Sequence, residues 1–224
     1  EQALAGVDRV VHLAARPGVR ASIRDPHTTI AINVTGMTNL LEAMREAEIR
    51  RLVFASSSSV YGGDSTAPFR EDAPAAHPLS PYAASKRAGE HFCASYSALF
   101  GFSISALRFF TVYGPRGRPD MLIGKFVASA LAGESVPLYG DGSAIRDLTY
   151  VSDIVAGIRA ALEDPPEGFE VLNLGGGHTI TILELIEQIE LALGTKIVLE
   201  RLPAAAGDMP LTSADLTRAA ARLG

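Results

Sequence analysis

Tryptophan is absent from the 224 residues, and cysteine occurs once, at Cys93. One thiol closes no internal disulfide and builds no cysteine-based zinc cage, a usage that fits a reducing cytoplasm. No run of eighteen or more apolar residues occurs, so no membrane span is expected. A formal charge of −5 gives no general attraction to nucleic acid or anionic lipid, and any anion site must be local. An initiator methionine is lacking too: the sequence opens on "EQALAGVDRVVHLAA" and stops inside the helical pattern "ADLTRAAARLG". Both ends predict a trimmed sequence. What is present is 47 % apolar and 20 % charged residues, the balance of one substantial globular domain with a small second lobe.

Short apolar or β-branched runs alternate with helical patterns. "RVVHLAA" (9–15), "RRLVFASS" (50–57) and "SISALRFF" (103–110) read as strands. Ile30, Val34, Met37, Leu41 and Met44 recur at helical spacing, which predicts a helix over 27–47, and a second runs from residue 81 to about 99. Strands without polar alternation are buried on both faces, as parallel sheets require. The class is therefore α/β, an open doubly wound parallel sheet. Beyond residue 114 a basic Gly/Pro-rich loop leads to a helix (121–132), strands near 136–139 and 171–174, and a helix over 181–193. This divides the chain into a sheet domain over 1–113 and a smaller lobe over 114–224, with segments around 140–175 returning to the first.

Within "LSPYAASKRAGEH" (79–91), Tyr82 and Lys86 are four apart on the predicted helix, so their side chains share a face. A free phenol, with a pKa of about 10, is a poor base at neutral pH, and a nearby ammonium favours the phenolate. "FASSSSVYG" (54–62) places the hydroxyls of Ser57, Ser58 and Ser59 at the C-terminal end of a strand, the edge where open α/β sheets bind ligands. Ser57 there can bond a substrate hydroxyl and share its proton with Tyr82. Alone, the Tyr–Lys spacing is common by chance and a serine-rich strand end makes local turn bonds. Together they point to proton transfer.

With "VDRVVHLAA", "INVTGMTNLLEA", "SSSSVYG", "SPYAASK", "LRFFTVYGP", "GDGSAIRDLTYVSD" and "LNLGGG" in this order, the sequence resembles the extended short-chain dehydrogenase/reductase family, in particular its nucleotide-sugar epimerases and dehydratases. The resemblance implies a Rossmann-like fold, NAD as cofactor and a UDP-sugar as substrate. It implies that Tyr82 takes the proton from the sugar 4-hydroxyl, that Lys86 binds the nicotinamide ribose and lowers the tyrosine pKa, and that Ser57 assists. Similar dehydratases carry Asp-Glu directly after the hydroxyl residue, and UDP-glucuronate decarboxylases a glutamate two places on. Ser58 and Ser59 stand at those positions and supply no carboxylate, which argues for simple epimerisation.

"RFFTVYGPRGRPDM" (108–121) resembles the UDP-glucuronate 4-epimerases, with Thr111 where galactose-type epimerases have asparagine. A guanidinium there can clamp a C5 carboxylate; Arg118 is the first candidate and Arg116 the reserve. The same resemblance makes Arg20 of "GVRAS" a substrate contact or a loop cap, with the two readings even. It also assigns Arg146 to the diphosphate, Pro137 and Tyr139 to the uracil edge, and Asp208 to the uridine ribose. Ala205 replaces a phosphate-binding arginine of galactose-type members. Leu13, Ala14, Ala15, Asn33 and Phe109, with Tyr82 and Lys86, are the cofactor contacts it implies, with Phe110 beside them. The glycine-rich turn that opens family members is missing, and "GGGH" (175–178) does not replace it, so the N-terminal strands of the fold are expected to precede Glu1. UDP-glucose or UDP-N-acetylglucosamine epimerisation, and a non-catalytic nucleotide-sugar module, are the rival readings. Many relatives dimerise through the Tyr–Lys helix and its neighbour, and a homodimer is expected here.

Overall fold

The computed structural model of the chain describes residues 2–63, 65–204 and 207–224. In chain order its elements begin with β1 (Arg9–His12), α1 (Val19–Arg24), α2 (Pro26–Ile30), α3 (Gly36–Glu46), β2 (Arg51–Ser57), α4 (Pro81–Phe100), β3 (Ser103–Phe109) and β4 (Thr111–Tyr113). There follow α5 (Leu122–Ala132), β5 (Val136–Tyr139), β6 (Ile145–Tyr150), α6 (Val151–Glu163), β7 (Phe169–Leu174), β8 (Thr179–Thr181), α7 (Ile182–Leu193), β9 (Leu199–Leu202) and α8 (Thr217–Leu223).

Strands β1, β2, β3 and β7 form one parallel sheet in that order. Side chains alternate between the faces of a strand, and here both faces are apolar. Leu52 and Phe54 of β2 join Ile104 and Ala106 of β3 in a cluster with Met37, Leu41 and Met44 of α3 and Cys93 of α4. Val53 and Leu107 point the other way and meet Leu172 and Leu174 of β7, Ile154 and Ala161 of α6, and Ala219 of α8. Helices on both faces of a parallel sheet make the doubly wound arrangement that the unbroken apolar strands require.

The helix expected over 27–47 is broken in phase. Asp25 caps α2, accepting from the Thr28 amide at 3.1 Å, with Pro26 in the first turn. A π turn over Ala31–Thr35 then separates α2 from α3. Its wider winding accompanies a buried Asn33. Helix α4 starts where Ser80 accepts from the Ala83 amide at 3.1 Å, with Pro81 at its first position, and ends at Gly101 with φ 68°. These are an N-cap, a helix-starting proline and a left-handed C-terminal glycine.

A third cluster of apolar residues belongs to α5, β5 and α7, built on Phe126, Val136, Leu138, Ile182, Leu185 and Ile186. Parallel β5 and β9 edge it, and β6 lies between β4 and β8 in a three-stranded sheet. Strand β6 and helix α6 exceed what the sequence reading assigned to 140–163. The helical spacing of Ile154, Ile158 and Ala161 was the available signal. Among the described residues no helix is long and apolar enough to cross a membrane, and no three His, Cys, Asp or Glu side chains gather into a metal-binding group.

Candidate active site

The C-terminal ends of β1, β2 and β3 bring His12, Ser57 and Phe109 to one edge of the main sheet. Helix α4 comes close to β2 because Gly89 faces the Phe54 ring: a Cβ there would lie 2.6 Å from a ring carbon. That approach lets the side chains of α4 reach the end of β2.

Lys86 is 4 % exposed. Its Nζ donates to the Ala55 carbonyl at 2.6 Å and lies 5.0 Å from the Phe54 ring centroid. Burial pulls its pKa down to about 8. His12 stacks on the same Phe54 ring, with the two centroids 6.0 Å apart. The His12 pKa is lowered first by burial and then by the charge of Lys86.

The Tyr82 phenol is raised above its ordinary value, chiefly by burial; the Ser57 hydroxyl and the charge of Arg118 oppose that rise. Lys86 is not among these influences. In the ligand-free chain the expected lowering of the tyrosine pKa by Lys86 is not seen: burial prevails, and Arg118 is the cation that opposes it. Ser57 is itself fixed, accepting from the Ser59 amide and donating to the Ser59 hydroxyl, each at 3.2 Å. The Tyr82 backbone is held at both ends. Its amide donates to the Ser22 hydroxyl at 3.0 Å, and its carbonyl accepts from Ser85 at 2.7 Å.

Ser58, Ser59, Thr111, Arg146 and Asp208 line one cleft of about 130 Å³, together with Ser80 and Ala83 on either side of Tyr82. Arg146 is held below the usual guanidinium value by burial, with Asp208 opposing. Asp208 also accepts from Arg20 at 3.0 Å, and the Arg20 guanidinium stands 3.9 Å from the Tyr139 ring centroid. Four expected substrate contacts, Arg20, Tyr139, Arg146 and Asp208, are thus gathered from four separate segments. Pro137 sits on β5 opposite Glu200. Arg118 lines an adjoining, mostly apolar cavity of about 430 Å³ that shares Thr111 with the first. There it pairs bidentately with Asp120, both bonds at 2.9 Å. Ala205 lies outside the described residues.

On the cofactor side, Leu13 and Ala14 are exposed beyond β1, and Ala15 and Phe109 are half-buried. Asn33 is buried with its amide already engaged: Oδ1 accepts from the Arg16 amide at 2.7 Å, and Nδ2 donates to the Arg16 carbonyl and to Ser85 Oγ. It fixes the 13–16 loop to α4. Phe110 turns into an apolar cluster with Val60, Tyr61 and Phe69. Sequence reasoning missed Ser22, Ser85 and the acidic residue Glu90, although Glu90 continues the Tyr82–Lys86 spacing by one further turn.

A model of the NAD dependent epimerase/dehydratase family matches residues 1–175. The chain belongs to that family. A UDP-glucuronate 4-epimerase of Thermodesulfobacterium geofontis (strain OPF15) is 44 % identical over 214 residues, covering 95 % of this chain and 65 % of that protein. The chain thus spans about two thirds of that relative's length. MoeE5, solved with UDP-glucuronic acid and NAD, superimposes with a TM-score of 0.94 at 39 % identity, over 100 % of this chain and 75 % of that one. It has also been solved with UDP-glucose and NAD. A UDP-glucuronic acid 4-epimerase from Bacillus cereus, in complex with UDP-glucuronic acid and NAD, gives 0.93 at 38 % identity, covering 99 % of this chain and 71 % of that one. The fold of this family is the Rossmann type.

Proposed function

We propose that this epimerase-family chain carries the proton-transfer and sugar-binding parts of an NAD-dependent UDP-sugar 4-epimerase, with UDP-glucuronate and UDP-galacturonate as the interconverted pair. The observation that carries the reading is that α4 brings Tyr82 and Lys86 to the end of β2 that carries Ser57, with Lys86 bonded to the Ala55 carbonyl and Ser58 and Ser59 supplying hydroxyls where a dehydratase or decarboxylase needs carboxylates.

The residues present suit NAD. A buried ammonium, an exposed Leu13–Ala14 edge and a half-buried Phe109 meet at the C-terminal edge of the sheet, where dinucleotides bind in such folds. NAD, when bound, would accept hydride from C4 of the sugar and return it. Lys86 would hold the nicotinamide ribose while Leu13, Ala14, Ala15 and Phe109 line the cofactor. Tyr82 would remove the 4-hydroxyl proton and give it back, with Ser57 bonding the same hydroxyl. Arg146 would hold the diphosphate, Tyr139 and Pro137 the uracil edge, and Asp208 the ribose. Ser58, Ser59 and Thr111 would bond the sugar, and Arg118 its carboxylate. Fixing that carboxylate protects the 4-keto sugar, a β-keto acid, from losing CO2.

The engagement of Arg118 with Asp120 favours a second reading, a UDP-glucose or UDP-N-acetylglucosamine 4-epimerase whose basic loop serves phosphates. Turnover of UDP-glucuronate against UDP-glucose by the NAD-loaded full-length protein distinguishes the two. A clear preference for the acid is expected; no preference overturns the substrate assignment.

A further inference from the structure

Beneath the sugar-facing hydroxyls lies a charged group that the proposed chemistry does not use. Glu90 and Arg108 are each 1 % exposed. Arg108 donates to Glu90 through Nε and Nη2, both at 2.8 Å. Ser56 donates to the same carboxylate at 2.6 Å, and Arg87 at 2.7 Å. On its other side the Arg108 guanidinium lies 4.6 Å from the Tyr61 ring centroid, and the Tyr61 hydroxyl donates to Asn173 on β7 at 2.6 Å.

Tyr82, Lys86 and Glu90 occupy successive turns of one face of α4. All three meet the end of β2: the Ala55 carbonyl accepts from Lys86, Ser56 donates to Glu90, and Ser57 is close enough to Tyr82 to lower its pKa. Two of these three contacts are weak points for a proton-transfer site. Lys86 must be free to meet a ribose, and Tyr82 must release a proton, so neither can also be the fixed point of the helix. Glu90 can be. Burial is the largest single influence on the pKa of its carboxyl and raises it, but Arg108, Ser56 and Arg87 together hold it below the usual carboxylate value. Hydrogen bonds to a charged group in such surroundings are strong and directional.

We infer that Glu90, clamped by Arg108 on β3 and Ser56 on β2, is a positioning residue that sets the register of α4 against β2 and so the placing of Tyr82 and Lys86 relative to Ser57. The inference rests on the epimerase reading of the site. Proton transfer is sensitive to displacements of about an ångström, which can cost on the order of a hundredfold in rate. Glu90 anchors the helix beyond its first turns, where Ser22 holds the Tyr82 amide and Asn33 holds Ser85. A buried ion pair is also weak as a stabilising device, because apolar residues of similar volume often replace it without loss.

The experiment compares the NAD-loaded full-length protein with Ser56→Ala, Glu90→Gln and the double variant Glu90→Leu/Arg108→Met, measuring kcat, KM for the UDP-sugar and Tm. Ser56→Ala keeps the ion pair and is expected to lower kcat several-fold with KM unchanged. Glu90→Gln leaves Arg108 uncompensated and is expected to lower both Tm and kcat. The double variant is decisive: Tm is expected to return towards the wild-type value while kcat stays at least tenfold down and KM within twofold. Recovery of kcat together with Tm would show a merely structural pair and overturn the inference. A rise in KM that accounts for the loss would overturn it too. If the wild-type protein turned over no UDP-sugar, the epimerase reading would fall, and the inference with it.

Discussion

Lys86 donates to one backbone carbonyl and is otherwise surrounded by Phe54 and the end of β2, so its charge is held where water cannot solvate it. The unfolded chain keeps the proton up to a pKa of 10.5, whereas in the fold it is lost near 8. The fold therefore carries a penalty that is fully present below about pH 8 and fades as pH rises towards 10.5, of roughly 3 kcal/mol at most. Lys86→Met is expected to abolish turnover yet stabilise the protein by about 1–3 kcal/mol at neutral pH, after allowing for the orphaned Ala55 carbonyl. Denaturant unfolding near neutrality and near pH 10 checks this; an equal gain at both pH values would contradict it. Tyr82→Phe removes the proposed proton acceptor while leaving the other proposed sugar contacts, so kcat should vanish and UDP-sugar affinity, measured by calorimetry, should hold. Arg118 is the cation that opposes the raised pKa of Tyr82. Arg118→Met should move the acid limb of the kcat/KM profile to higher pH. It should also raise KM for UDP-glucuronate roughly tenfold or more, with a smaller effect on UDP-glucose.

At the scale of the element, α4 is the part that the sequence specified most fully. Ser80, Pro81 and Gly101 mark the ends of the helix expected from residue 81 to about 99, and the spacing of Tyr82 and Lys86 puts their side chains on one face. The distance of α4 from β2 is another matter, because it depends on Gly89 lying over the Phe54 ring. Gly89→Ala would suit the helix intrinsically but forces a Cβ into that ring. A net destabilisation of about 1–3 kcal/mol is expected, with a kcat loss larger than stability explains, since Lys86 and Glu90 move with the helix. Thermal unfolding and kinetics on the same preparation test this, and a variant as stable and active as wild type would refute the close-approach argument. The helix over 27–47 was legible in its apolar spacing, but the π turn was not. That turn is coupled to Asn33 bonding Arg16 and Ser85, partners on other elements that local periodicity does not report.

The cleft takes residues from both halves of the chain, Ser58, Ser59 and Ala83 from the first and Arg146 and Asp208 from the second. Arg20 and Asp208 are 188 positions apart and still pair, while Tyr139 of β5 lies under Arg20. A UDP-sugar that spans Tyr82 and Arg146 should therefore stabilise both parts together. Saturating substrate, at about a hundred times Kd, should add roughly 2.7 kcal/mol, seen as a higher Tm in the wild type and in Tyr82→Phe. Arg146→Ala should lose most of that shift at the same concentration. An undiminished shift would remove Arg146 from the diphosphate site.

By itself the sequence determined the parallel α/β class and the approximate course of the main strands and of α4, and it singled out Ser57, Tyr82 and Lys86 as candidates. The class and the elements follow from periodicity, which local backbone sterics set, whereas the three candidates rest on their combined pattern and the family resemblance it carries. Only the tertiary structure decided that burial outweighs the neighbouring cation at Tyr82, that Asn33 is spent on holding a loop, and that Glu90, Arg108 and Ser56 converge beneath the site. Those outcomes depend on desolvation and on strand register, which exist only once distant segments have been brought together.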